Sequence, residues 1–327
     1  MKHKFLTIGV AAVGALFATF GEARADWPEK PIKITVPFKA GGTSDQIARN
    51  FQAAIQEEGL LDKPLTIINV GGHYSIGARQ GKDAAPDGYN FFLMHIAMMG
   101  GEATGAMDFG WRDFEPVIGT GSFCNLPVVR KDSGYDSISD LLAAAKAAPD
   151  SLIFGANLNA INHMAGVMME GLEEGAKFRY VQTGGGPPNF AALTGGQINA
   201  SVMSGAEVMK FAYLPDGSEN PDSAIKALAY GGSERNAALP DLPTFKELGY
   251  DFDFCVTSWW FAPKGTPQEA IDGMADALEA AAATGRVQEF WRTKVFEPKI
   301  VRGEALTTDL EETWDRIQPI ALQTMKK

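Results

Sequence analysis

The stretch Pro31-Ile32-Lys33-Ile34-Thr35-Val36-Pro37, continuing into Lys39-Ala40-Gly41-Gly42-Thr43-Ser44-Asp45, decides how the chain is read. Its first part alternates apolar and polar residues with the period of a strand and is closed by proline. A glycine-rich turn follows. Ile47, Ala48, Phe51, Ala54 and Ile55 then recur at helical spacing, which predicts a helix with one buried face. The unit repeats. Residues 65–70 and 90–94 predict strands, and Gly71-Gly72-His73-Tyr74-Ser75-Ile76-Gly77 with a short helix lies between them. A repeated β-turn-α unit predicts a mostly parallel sheet covered by helices.

The same rhythm resumes after Ser137. Helices are predicted at 138–148, 159–171 and 187–193, and strands at 152–154, 178–181, 197–203 and 224–230. Extended runs at 123–129 and 252–261 separate the two α/β blocks and predict crossovers between them. Two helices (267–283 and 286–294), a strand near 299–301 and a final helix after Glu304 follow the second crossover. One domain is thus inserted into another: 26–123 plus about 256–327 form domain 1, and 124–255 form domain 2. A chain of 327 residues suits two domains of about 150 residues each.

Residues 1–25 read as a leader rather than as fold. Lys2, His3 and Lys4 precede an apolar run from Phe5 to Phe20, and Ala23-Arg24-Ala25 offers a small-x-small cleavage site. The run is shorter than the roughly 20 residues of a spanning helix and is broken by Gly9 and Gly14. A cleaved signal peptide and an exported, soluble mature protein are therefore expected. The net charge of −11 argues against a nucleic-acid partner.

Little conventional chemistry is visible. His73, His95 and His163 lack metal-ligand spacing, and no GxSxG elbow is present. Gly72 and Gly77 have P-loop spacing, but Ala78-Arg79 stands where Lys-Ser/Thr is required. Neither metal nor cofactor is expected. What recurs instead is a polar, glycine-rich turn between a strand and a helix start. Such turns stand at 41–45, at 71–75, at Gly155-Ala156-Asn157-Leu158-Asn159 and at Thr183-Gly184-Gly185-Gly186. Unpaired N–H groups at helix starts hold carboxylate or phosphate without a formal cation, and ligands of open α/β sheets sit at the C-terminal ends of the strands.

Several motifs, in order along nearly the whole chain, resemble those of the solute receptors of tripartite tricarboxylate transporters, the Bug family. They are Trp27-Pro28-Glu29-Lys30-Pro31-Ile32, Val36-Pro37-Phe38 with the 41–45 turn, and Ala85-Pro86-Asp87-Gly88-Tyr89. Leu239-Pro240-Asp241-Leu242-Pro243-Thr244 with Glu247-Leu248-Gly249, and Ala262-Pro263-Lys264-Gly265-Thr266-Pro267, complete the set. The resemblance implies a two-domain, type II-like periplasmic binding protein fold joined by two crossover strands and closing on a small carboxylate. It implies permease subunits of a tripartite tricarboxylate transporter as the membrane partner, and a monomeric receptor rather than an enzyme.

Carried onto this chain, the family's ligand loops are Gly41, Gly42, Thr43, Ser44 and Asp45 with Gly72, His73, Tyr74 and Ser75 in domain 1. Domain 2 contributes Asn157, Asn159, His163, Thr183 and Gly184. Lys39-Ala40, His73-Tyr74, the amides Asn157 and Asn159, and Asn199 depart from the family pattern, so no named ligand is transferred. Cys124 and Cys255 fall in the two crossovers. An exported chain permits a disulfide there, and two separate buried thiols are the alternative. For Trp259-Trp260, core packing of both rings is expected. An exported hydrolase or isomerase using His73 or His163, and a sensor feeding a signalling partner, are the competing functional readings.

Overall fold

The computed structural model describes residues 27–214, 216 and 218–325, so the leader lies outside the described residues. The first lobe opens with β1 (Ile32–Val36), α1 (Thr43–Glu57), β2 (Leu65–Asn69), α2 (Tyr74–Lys82), β3 (Asn90–Met94) and α3 (Ala97–Ala103). β1 pairs in parallel with β2 on one side and β3 on the other. Ile47, Ala48, Phe51, Ala54 and Ile55 are the buried face of α1, as the spacing predicts.

β4 (Phe114–Arg130) leaves this lobe and enters the second. There α4 (Ile138–Ala147), β5 (Leu152–Ala156), α5 (Ile161–Glu170), β6 (Phe178–Gln182), α6 (Gly186–Thr194), β7 (Ala200–Ser204), α7 (Gly205–Ala212) and β8 (Ile225–Ala227) follow. β5 stands between β6 and β7, parallel to both, in the same arrangement as the first lobe. The return is β9 (Cys255–Pro263), then α8 (Gln268–Ala282), α9 (Gly285–Thr293), β10 (Phe296–Val301) and α10 (Gly303–Thr324).

Antiparallel pairing enters with the crossing strands. β9 pairs with β3 and β4, β10 pairs with β4, and β4 pairs with β7 and β8 in the second lobe. β4 therefore belongs to both sheets. α10 packs against α3 and α5, one from each lobe, and so bridges the crossover. No helix among the described residues is long and apolar enough to cross a membrane.

Two helices, α3 and α7, are absent from the sequence reading. Trp259 and Trp260 are both buried, and each indole N–H is used internally: Trp259 donates to Asp309 Oδ2 and Trp260 to Thr120 Oγ1, both at 2.8 Å. Several of the recurring motifs join one another away from the cleft. The Trp27 indole donates to the Gly88 carbonyl at 2.9 Å, and Lys30 pairs with Asp87. Thr244 and Glu247 cap each other's backbone. These motifs hold the scaffold.

Cys124 and Cys255 lie opposite each other on β4 and β9, where the strands leave the first lobe, and are joined as a disulfide. The bridge closes a long loop, with a sequence separation of 131. Thiol titration of the denatured, unreduced protein is expected to find neither cysteine free. The Cys124→Ala/Cys255→Ala variant is expected to lose about 2–5 kcal/mol of stability. Two free thiols in the first measurement, or an unchanged urea midpoint in the second, would contradict this.

Candidate functional site

The C-terminal ends of β1, β3, β5, β6 and β7 face one another across the space between the lobes, where parallel sheets place ligands. They enclose a cavity of about 570 Å³. From the first lobe it is lined by Phe38, Lys39, Gly42, Thr43, Ser44, Gly72, His73 and His95, with Phe123 and Asn125 from β4. The second lobe supplies Asn157, Asn159, Asn162, Gln182, Thr183 and the 184–188 turn, with Val202, Ser204 and Glu207 at the base.

Of the residues expected from sequence, Gly42, Thr43, Ser44, Gly72, His73, Asn157, Asn159, Thr183 and Gly184 line this cavity. The other five stand behind its wall. Asp45 accepts the Gly41 N–H at 2.7 Å and pairs with Arg49, which fixes the first turn. Tyr74 is fully buried, which pushes its hydroxyl pKa up, and that hydroxyl donates to the Asn159 carbonyl at 3.4 Å. Ser75 holds His73 Nδ1 through its N–H and hydroxyl. His163 Nδ1 accepts the Asn159 N–H at 3.1 Å, and its ring packs on Tyr180.

Asn159 is the meeting point of these contacts. Its φ of 63° lies in the left-handed region, which asparagine tolerates better than most residues. This turns its carbonyl toward the first lobe, so close to α3 that a Cβ at Gly100 would fall 2.3 Å from the oxygen. Its side-chain Oδ1 accepts from Thr324 on α10 at 3.0 Å. Around it, Asn157 N–H donates to Asn162 Oδ1, Leu158 N–H to Gln182 Oε1, and Gln182 Nε2 to Asn157 Oδ1. The Asn157 side chain is thus tied to Gln182 and the Asn159 side chain to Thr324, which anchors the loop at both ends.

The lobes touch across the cavity. His73 Nε2 lies 3.2 Å from the Leu158 carbonyl. Because a carbonyl only accepts, this nitrogen carries the proton, and both ring nitrogens are engaged by protein. At the base, Thr43 Oγ1 and Ser204 Oγ lie 2.5 Å apart, and the Thr43 N–H donates to Glu207 Oε1 at 3.3 Å. Lys210 Nζ donates to the Gly41 carbonyl.

Two groups missed by the sequence reading shape the site's electrostatics. Glu207 is buried, and that burial raises its pKa against the pull of N–H and O–H donors from Ser204 and Thr43. His95 is 7% exposed and sits at the end of β3. It is stacked on Phe38 (4.9 Å, 15°) and meets Phe123 edge-on. Its Nδ1 accepts the Ala97 N–H, so the proton is on Nε2, and the ring lines the cavity. Signals for both were legible. Ser204-x-x-Glu207 is a capping-box spacing, and His95 directly follows a predicted strand.

Two α/β lobes, a pair of antiparallel crossing strands and an enclosed cleft define a solute-binding protein of the periplasmic binding protein fold. Residues 47–324 match the family described as "Tripartite tricarboxylate transporter family receptor", and the chain belongs to that family. Protein BugT of Bordetella pertussis is 29% identical over 279 residues, covering 80% of each chain. The solved structure of periplasmic binding protein BugD is similar, with a TM-score of 0.79 at 27% identity, over 92% of this chain and 98% of that one. MatC (Rpa3494) from Rhodopseudomonas palustris, solved with bound malate, shares the fold with a TM-score of 0.79 at 22% identity, over 90% of this chain and 100% of that one.

Burial lowers the His95 pKa from 6.5 to about 3. Above pH 6.5 neither folded nor unfolded protein protonates this ring, and its contribution to stability is complete. As pH falls from 6.5 toward 3, the unfolded chain takes up a proton that the folded one refuses, and stability is lost. Urea unfolding of the wild type is therefore expected to lose about 1.4 kcal/mol per pH unit more than His95→Phe between pH 6 and 4. Equal slopes would contradict the neutral assignment.

Proposed function

We propose that this chain is a periplasmic receptor, exported by a cleaved leader at 1–25, that captures a small organic carboxylate between its lobes and delivers it to the permease of a tripartite tricarboxylate-type transporter. Domain 1 comprises 26–123 and about 256–327, and domain 2 comprises 124–255. The receptor works as a monomer and performs no reaction on its ligand. The observation that carries this reading is the cavity itself, lined from both lobes at strand ends and spanned by the His73–Leu158 and Thr43–Ser204 contacts. A ligand that touches both walls shifts the lobes toward closure by its differential contacts.

The malate held by MatC supports a carboxylate as the ligand class. An acidic protein still binds an anion in this way, because oriented N–H groups act at contact whereas the net charge is screened over about 8–10 Å. The hydrolase or isomerase reading loses support at the histidines. His73 has both nitrogens engaged, and His163 stands behind the wall.

A thermal-shift panel of mono-, di- and tricarboxylates, aromatic acids and acidic amino acids tests the proposal. An acid at 100 times its Kd stabilises the folded state by roughly 2.7 kcal/mol. For a chain of this size that raises Tm by about 4 °C. A selective rise, with the acid recovered chemically unchanged, is the expected outcome. No rise with any acid, on protein refolded to strip bound ligand, would contradict it.

A further inference from the structure

The cleft contains a carboxylate of its own. Glu207 is the third residue of α7 and completes a capping box, with Oε2 accepting the Ser204 N–H at 3.1 Å and Ser204 Oγ accepting the Glu207 N–H at 3.3 Å. Capping alone does not account for its other oxygen. Oε1 reaches the first lobe and accepts the N–H of Thr43, the first residue of α1. The carboxylate is also wedged against the start of α6, where a Cβ at Gly186 would fall 2.1 Å from its carboxyl carbon. It thus lies between three helix starts, where partial positive charge favours an anion. Lys210, one turn further along α7, spends its Nζ on the Gly41 carbonyl.

What remains open to a ligand is different in kind. The first-lobe wall is the stacked pair Phe38–His95 with Phe123 edge-on. Within that aromatic face the polar group is His95, a neutral ring more than nine-tenths buried with its proton on Nε2, and Lys39, Thr43 and Ser44 line the cavity beside it. Val202, Pro187 and Pro188 extend the apolar surface on the opposite side.

We propose that Glu207 is a built-in anion occupying the helix-start site between the lobes, and that this selects acids with one carboxylate and a flat, apolar body while refusing a second carboxylate. This rests on the carboxylate-receptor reading. A ligand carboxylate at the α1 start would displace Glu207 or face it at close range in a desolvated space, where like charges repel strongly. A single carboxylate set elsewhere in the cleft avoids that conflict, and its ring or chain fills the aromatic wall.

Matched pairs of acids test the proposal by calorimetry: benzoate against terephthalate, and hexanoate against adipate. The wild type is expected to bind the monoacid of at least one pair tenfold or more tighter than its diacid. Glu207→Gln, which keeps the shape and removes the charge, is expected to narrow that ratio at least tenfold, chiefly by tightening the diacid. Equal or tighter binding of the diacids by the wild type would overturn the proposal while leaving a carboxylate receptor standing, and this arm needs no variant to fold. An unchanged ratio in a folded Glu207→Gln would overturn it equally. Failure of all four acids to bind either protein would instead overturn the carboxylate-receptor reading on which the proposal rests.

Discussion

Strand β4 is the constraint on which the rest of the molecule depends. Its 17 residues pair with β9 and β10 in one lobe and with β7 and β8 in the other, so neither sheet is complete without it. Because one strand serves both sheets, the ends of β1 and β3 are set opposite those of β5, β6 and β7, and the cleft follows from that placement. The Cys124–Cys255 bridge ties β4 to β9 at the point of departure, and the Asn125 N–H and side-chain amide both reach the Phe254 carbonyl just beyond it. The lobes are thereby joined by a short, doubly stranded waist, backed by α10.

The cleft combines two kinds of wall. In the turns around Asn157, Asn159 and Gln182 the side-chain amides are spent on protein partners, Asn157 and Gln182 on each other and Asn159 on Thr324. Phe38, His95 and Phe123 form a face that is apolar except for one neutral N–H. Between them Glu207 binds the first lobe to the second without an ion pair. Contact between the lobes there rests on hydrogen bonds and helix-start dipoles, which salt screens less than exposed charge pairs. Those contacts are individually modest, about 1 kcal/mol each.

Much of this was legible in sequence because it is local. The 47–55 face of α1 and the alternation in β1 fix elements by period alone, and the glycine turns mark where strand gives way to helix. Glu207 escaped because β7 runs into α7 without a loop, so Ser204 is both the last strand residue and the helix cap. Its reach to Thr43 spans 164 positions, a distance that no periodicity records. His95 escaped because histidines were read for metal spacing, whereas its role follows from standing at a strand end beside two aromatic rings. Tyr74, His163 and Asp45 stand in or beside the turns, and their side chains bond within the fold. Which way a side chain in a tight turn points depends on its partners across the fold.

In the proposed function one small acid is held between the lobes by groups from both. A crystal structure of the mature chain with its tightest-binding acid tests this most directly. The acid is expected inside the cleft, its apolar body against Phe38, His95 and Phe123, and its carboxylate bonded by at least one donor from each lobe. An acid bound outside the cleft, or touching a single lobe while the cleft stays empty, would contradict it.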